Sequence, residues 1–137
     1  MIIAASDHII TKEDEFVRVV NDCLELSAAN DVLLTIGITP SRPDTGYGYI
    51  QFTEKGLVSH KKVRKVKTFT EKPNQELALN FLDSGDFLWN SGMFVWSAKS
   101  ITLAYRKHLN DIYTVFEEGK PLYNTEKEEE YIDRVFS

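Results

Sequence analysis

An acidic residue stands two positions after the first apolar run of the chain. The run covers residues 2–5 and predicts a short buried strand, and Asp7 and His8 follow it. Ligands of open α/β sheets bind outside the carboxyl ends of the strands, where a carboxylate can hold a hard cation such as Mg²⁺ together with substrate phosphates. The alternative is that Asp7 only caps a turn and that His8 satisfies a backbone group. Position alone leaves both interpretations open.

A pair of opposite charges, Glu71 and Lys72, ends another predicted strand directly before Pro73. Side chains alternate between the two faces of a strand, so these two side chains need not pair with each other. A carboxylate accepts hydrogen bonds from hydroxyl groups, and an ammonium group meets a phosphate as a point charge. The pair therefore fits a ligand that carries both groups, although solvated charges at a strand end have the same pattern.

Glycine and tyrosine alternate in the stretch TGYGYI, residues 45–50. Gly46 and Gly48 would let the backbone approach a ligand closely, because glycine has no side chain. The stretch matches neither GxGxxG nor GxxxxGK[ST], the two phosphate-binding patterns with a known mechanism. A ligand-facing loop and an ordinary turn both remain open.

A polar amide interrupts the most aromatic part of the chain. Asn90 lies between Trp89 and Gly92 within residues 87–96, which predict a strand. A buried amide needs hydrogen-bond partners, and a ligand hydroxyl is one candidate. The alternative is a β-bulge at Gly92, with Asn90 bonded to nearby backbone.

The elements that must position these residues follow from the apolar pattern. Strands are predicted over residues 2–5, 32–38, 49–53, 63–71 and 87–96, with a hairpin return at 57–60. Helices are predicted over residues 11–29 with a capping box at Thr11 and Asp14, and from Asn74 as N-terminal cap to about Leu82, with Gly85 at the C-terminal cap. Two more helices are predicted, one capped by Ser97 and one from Asp111 onward. The first strand, helix and strand predict a βαβ unit. We therefore expect an α/β fold with a mixed, mostly parallel sheet flanked by helices.

The composition of the 137-residue chain excludes several classes of protein. Its net charge is −5, and its most basic stretch, residues 60–67, alternates with valines, which is typical of a strand face rather than of a nucleic-acid surface. No segment has the length of a membrane span, and we see no signal peptide. The single cysteine, Cys23, cannot form an internal disulfide and lies in the apolar stripe of a predicted helix, which fits an inert thiol in a reducing cytoplasm.

Four stretches, taken in order, resemble the mannose-1-phosphate guanylyltransferases, which belong to the sugar nucleotidyltransferases. They are ASDHII at residues 5–10, GITP at 37–40 with DTGYGYI at 44–50, FTEKPN at 69–74, and LWNSGMF at 88–94. The resemblance runs from about Ile2 to Ser100. It implies a Rossmann-like nucleotide-diphospho-sugar transferase fold. It also implies a reaction in which GTP and mannose 1-phosphate give GDP-mannose and pyrophosphate.

The resemblance also implies a role for each candidate residue. Asp7 would be a Mg²⁺ ligand, and Asp7 and Lys72 would be the catalytic residues. Gly48 would present its backbone to the sugar, with Gly46 shaping the approach. Glu71 and Asn90 would bind sugar hydroxyls, and Lys72 would bind the sugar phosphate.

The chain also departs from the family pattern. No glycine-rich loop with Arg and Lys precedes Asp7, and no second metal-binding Asp motif stands before Phe136. We therefore expect residues 1–137 to be a partial catalytic domain that holds the sugar side of the site. Because losing one preorganised group can cost about 10²–10³ in rate, we expect this piece alone to be inactive or nearly so. A truncated sheet would also expose an edge, which favours a homo-oligomer.

Two other functions fit the same residues. One is a nucleotidyltransferase for another hexose 1-phosphate or base, and the other is a non-catalytic homologue that senses a sugar phosphate. Under all three hypotheses we expect no nucleic-acid or membrane partner.

Overall fold

The structure of the protein is a computed structural model that describes residues 1–56 and 63–136. Within these residues the strands are β1 (Ile2–Ile3), β2 (Leu33–Ile38), β3 (Tyr49–Gly56), β4 (Arg64–Thr70) and β5 (Phe87–Trp96). The helices are α1 (Glu13–Ala29), α2 (Gln75–Ser84), α3 (Ala98–His108), α4 (Asn110–Gly119) and α5 (Glu128–Phe136). The predicted hairpin return at residues 57–60 lies outside the described residues, as does the first part of the basic stretch.

Strand β5 is the centre of the sheet. It pairs with β2 along one edge, where Trp89 lies opposite Ile38 and Val95 opposite Leu34. Val95 also lies opposite Ile2, and Trp89 also lies opposite Tyr49. Strands β1 and β3 therefore share the other edge of β5, and β4 pairs with the outer side of β3.

The predicted strand pairing was wrong in one respect. The sequence predicts a mixed, mostly parallel sheet, but every strand pairing among the described residues is antiparallel. Strands β1 and β2 do run in the same direction, and β5 lies between them. The error has a physical reason, because an apolar run identifies a buried strand without encoding its neighbours. The α/β class with a sheet flanked by helices is confirmed.

An aromatic cluster holds α2 against the sheet. Residues of β5 alternate between buried and half-buried, and Phe87 and Trp89 lie on the buried side. There they join Tyr49, Ala78 and Phe81 in one buried cluster. The rings of Phe81 and Phe87 stack at 3.9 Å between centroids. Because burial of one such side chain contributes about 1.5–3 kcal/mol, this cluster holds α2 against β3 and β5.

The helix ends show which capping predictions were correct. The Asn74 side chain accepts a hydrogen bond from the Leu77 backbone N at 2.9 Å, and Gly85 ends α2 in the left-handed conformation at φ 74°. As predicted, Ser97 caps α3, with its side chain accepting a hydrogen bond from the Ser100 backbone N. The capping box at Thr11 does not form, because α1 begins after Lys12 without a side-chain cap.

The remaining helices form the outer parts of the molecule. Helix α1 packs against β5 and β2, while α3 packs on α4 and α4 on α5. Among the described residues, no helix combines the length and the apolar character that crossing a membrane requires. Ile9 is 88% exposed, and β1 has a strand partner on only one edge among the described residues. The homo-oligomer stays a prediction.

Candidate functional site

A gap in the sheet brings distant parts of the sequence together. On the edge of β5 that β1 and β3 share, β1 pairs with residues 94–95 and β3 with residues 87–89. After β1 the chain continues towards this gap. Gly48, the residue before β3, lies at the same gap. The loops that carry Asp7 and Gly48 therefore start or end at one place beside β5.

The gap faces a bulge in β5. Thr35 lies opposite Phe94 while Gly37 lies opposite Asn90, so a single residue of β2 faces three residues of β5, 91–93. Gly92 adopts φ 71°, a conformation that favours glycine. The Ser91 hydroxyl donates to the Ile36 carbonyl at 2.6 Å and accepts from the Met93 N–H. The β-bulge that was one of two interpretations of this stretch is present.

The bulge also determines what the Asn90 amide can do. Its Oδ1 atom accepts hydrogen bonds from the Gly92 N–H at 3.1 Å and from the Thr35 hydroxyl at 3.2 Å. Among the described residues, its Nδ2 group has no hydrogen-bond partner. The amide oxygen is thus used within the protein, and the amide nitrogen is available as a donor. The bulge and the ligand contact are therefore compatible.

Gly48 lies where two of the predicted residues meet. A Cβ atom at Gly48 would be 2.9 Å from Glu71 Oε2 and 3.6 Å from Asn90 Cβ. The Asn90 N–H also donates to the Gly48 carbonyl at 2.7 Å. Pairing of Tyr49 with Thr70 in the β3–β4 ladder is what places Glu71 beside Gly48. The structure therefore joins three residues that are far apart in the sequence.

The chemistry of these groups is complementary. The Glu71 carboxylate is exposed and has no ion pair or hydrogen bond with the rest of the described chain. An ionised carboxylate only accepts hydrogen bonds, whereas the free NH₂ group of Asn90 only donates them. A ligand with neighbouring hydroxyl groups can satisfy both.

Asp44 organises the loop that precedes Gly48, a role that the sequence analysis missed. Its Oδ1 accepts from the Gly46 N–H at 2.8 Å, and its Oδ2 forms an ion pair with Arg42 at 2.6 Å. Its own N–H donates to the Tyr49 hydroxyl at 3.0 Å. Asp two residues before Gly is a known turn pattern, so this contact had a signal in the sequence.

Two further contacts attach the same loop to β5. The Arg42 guanidinium lies 5.3 Å from the centre of the Trp89 ring, and the Tyr47 ring lies 5.0 Å from it. Trp89 is only 7% exposed, so the loop rests on a buried and fixed surface. Gly46 belongs to this loop, but no contact of Gly46 with Glu71 or Asn90 is seen among the described residues.

Lys72 has an unusual backbone conformation. Its φ is 38°, in the left-handed region that a residue with a side chain adopts at a cost of about 1–2 kcal/mol. The residue before a proline is normally extended, and Pro73 is buried. The Lys72 side chain is exposed and has no ion-pair partner within residues 1–56 and 63–136. Strain of this kind is typical of positions that the surrounding structure holds in place.

Asp7 and His8 are less closely connected to the site. Both are exposed, Asp7 in the turn after β1 and His8 directly after that turn, and no hydrogen bond or ion pair joins the Asp7 side chain to another described residue. The described residues contain no group of three or more potential metal ligands. A lone free carboxylate suits Mg²⁺ only when substrate phosphates complete the coordination, because this ion uses one or two carboxylates in such sites. Asp7 therefore fits a Mg²⁺ site in which substrate phosphates supply other ligands.

Comparisons with known proteins identify the family to which the chain belongs. The sequence model of the family "Nucleotidyl transferase" matches residues 1–132. A mannose-1-phosphate guanylyltransferase of Sinorhizobium fredii (strain NBRC 101917 / NGR234) is 40% identical over 112 residues, which cover 82% of this chain and 21% of that protein. A mannose-1-phosphate guanylyltransferase of Escherichia coli (strain K12) is 38% identical over 120 residues, which cover 87% of this chain and 25% of that protein.

Solved structures are similar as well. The crystal structure of mannose-1-phosphate geranyltransferase from Thermus thermophilus has a TM-score of 0.79 and 25% identity, covering 96% of this chain and 37% of that one. The crystal structure of mannose-6-phosphate isomerase from Helicobacter pylori has a TM-score of 0.71 and 33% identity, covering 85% and 42%. The chain spans about a fifth to a quarter of the two curated relatives named above. With the family pattern matched over residues 1–132, the chain belongs to the nucleotidyl transferase family, whose members include nucleotidyltransferase enzymes.

Proposed function

We propose that this chain supplies the sugar-phosphate side of a mannose-1-phosphate guanylyltransferase. The reaction of the whole protein would transfer GMP from GTP to mannose 1-phosphate and release pyrophosphate. The names of the relatives support the reaction. The observation that carries the proposal for this chain is the meeting of Glu71, Gly48 and Asn90 at one point.

The sugar would bind through its hydroxyl groups. One hydroxyl would donate to the Glu71 carboxylate, and a neighbouring hydroxyl would accept from the Asn90 NH₂ group. Gly48 would allow the ring to approach the backbone, because it has no side chain between Glu71 and Asn90. A site that pairs a donor with an acceptor in this way favours vicinal hydroxyls over an apolar ligand.

The phosphate would bind next to the sugar, at Lys72. In the reaction, a phosphate oxygen of mannose 1-phosphate attacks the α-phosphorus of GTP, and the bond from that phosphorus to pyrophosphate breaks. Lys72 would neutralise charge on the attacking phosphate. Mg²⁺, when bound, would neutralise further phosphate charge, and Asp7 would give it one carboxylate ligand.

Calorimetric titration of the purified protein with mannose 1-phosphate tests this proposal. Glu71→Gln and Asn90→Ala should each weaken binding about 10-fold, because each removes a polar ligand contact. Glu76→Gln and Asn80→Ala change the same residue types at exposed positions of α2 and serve as matched controls. Equal affinity of all four variants for mannose 1-phosphate would exclude the proposed site.

A further inference from the structure

We propose that Thr35 is a positioning residue that holds the Asn90 amide with its NH₂ group towards the ligand. Thr35 lies on β2, the strand on the opposite edge of β5 from Gly48. Its hydroxyl is 3.2 Å from Asn90 Oδ1 and 3.2 Å from the Met93 carbonyl. It therefore contacts both the amide and the bulge from the side of β5 that faces away from Gly48.

The partners of Oδ1 explain why this contact matters. The Gly92 N–H is a donor only, so it requires the oxygen side of the Asn90 amide to face the bulge. If the amide were flipped, its NH₂ group would face another N–H. Thr35 contributes the second hydrogen bond to Oδ1 with its single hydroxyl proton, which Oδ1 shares with the Met93 carbonyl. Of the two hydrogen bonds to Oδ1, it is the one that a side-chain substitution can remove.

The orientation of the Asn90 amide limits which ligand groups it can bind, and this step rests on the proposed function. With Oδ1 occupied by Gly92 and Thr35, Asn90 meets the ligand as a donor. The sugar oxygen at this position must therefore accept a hydrogen bond. Asn90→Asp keeps both contacts of Oδ1 but replaces the donor by a second oxygen, so it should weaken mannose 1-phosphate binding at least as much as Asn90→Ala.

A double-mutant cycle tests whether Thr35 acts through Asn90. Thr35→Val removes the hydroxyl but keeps the branched shape, and should weaken mannose 1-phosphate binding about 3- to 10-fold. Thr35→Ser keeps the hydroxyl and should bind within about 2-fold of the unchanged protein. In the Asn90→Ala background, Thr35→Val should cost no further affinity. A loss of the same size in both backgrounds, or no loss at all, would overturn the inference.

A measurement without ligand separates this inference from the proposed function. The side-chain NH₂ signals of Asn90 in ¹H–¹⁵N spectra should show restricted motion in the unchanged protein and in Thr35→Ser, and greater motion in Thr35→Val. If Thr35→Val does not fold, Thr35→Ala takes its place in the comparison. Unchanged mobility of the amide without the hydroxyl overturns the positioning role, even if mannose 1-phosphate fails to bind and the proposed function falls.

Discussion

A Cβ atom at Gly48 would lie 2.9 Å from the Glu71 carboxylate oxygen, too close for the two to coexist without movement. The Glu71 carboxylate therefore lies so close to Gly48 that only a residue without a Cβ atom leaves room for it. Gly48 is thus part of the site because it has no side chain, and the pairing of β3 with β4 positions Glu71 beside it.

Gly48→Ala should move the Glu71 carboxylate without unfolding the protein, because the obstructed atom is the end of an exposed, flexible side chain. We expect mannose 1-phosphate affinity to fall about 10-fold, the size of effect seen for a hydrogen bond to a charged group. Calorimetry measures the loss. In the Glu71→Ala background, the same glycine substitution should have little further effect, and a full additional loss would contradict this explanation.

Lys72 allows backbone strain and ligand binding to be separated. Lys72→Ala and Lys72→Gly both remove the ammonium group, so both should weaken binding of mannose 1-phosphate more than binding of mannose. Because φ is 38°, the glycine variant should be the more stable of the two by about 1 kcal/mol in urea unfolding. Lys99→Ala, at an exposed position of α3, is the control for loss of charge. An alanine variant as stable as the glycine variant would show that this backbone conformation is not strained.

Asp44 should control the order of the loop that reaches Gly48. Asp44→Asn keeps an oxygen for the Gly46 N–H and loses mainly the ion pair with Arg42, which contributes about 0–1 kcal/mol because Arg42 is 59% exposed. Asp44→Ala removes both contacts. We expect a small effect for the first variant and about 10-fold weaker binding for the second. Trp89 fluorescence should report the change, since Arg42 and Tyr47 lie against that ring; identical spectra and affinities for both variants would contradict the role of Asp44.

Asp86, which lies between α2 and β5, should make the free energy of unfolding depend on pH. Hydrogen bonds from the Ser84 hydroxyl and from the Gln51 amide, each 2.7 Å, lower the pKa of this carboxyl from its ordinary value of 3.8. A lowered pKa in the folded protein means that the stabilisation is present above 3.8 and is lost as the pH falls through the folded pKa. Comparison of Asp86→Asn with the unchanged protein by thermal unfolding should show a difference at about pH 6 that shrinks in acid. A difference that does not change with pH would contradict the assignment.

Much of the local structure could be predicted from the sequence. Strand β5 has the predicted bounds because most of its ten residues are apolar or aromatic, and α2 begins and ends at the predicted cap residues Asn74 and Gly85. Those signals are local, so no knowledge of the neighbours was needed. The Asp–x–Gly turn at Asp44 was also local and was overlooked.

The remaining features depend on contacts between distant residues. The insertion of β5 between β1 and β2 and the approach of Gly48 to Glu71 are properties of strand order and register, which no local pattern records. The same holds for Thr35, which reaches Asn90 from the neighbouring strand. The fold class and several element bounds were therefore predictable, whereas the spatial arrangement of the candidate residues was not.

Mapping of chemical shifts during a titration with mannose 1-phosphate tests the central claim most directly. We predict that the largest changes in ¹H–¹⁵N spectra occur at residues 46–48, at residues 71–72 and at the side-chain amide of Asn90. A different surface is available for comparison, the groove of about 630 Å³ between α4 and α5 that Ile112, Phe116 and Phe136 help to line. Changes confined to that groove, or spectra that mannose 1-phosphate leaves unchanged, would contradict the account.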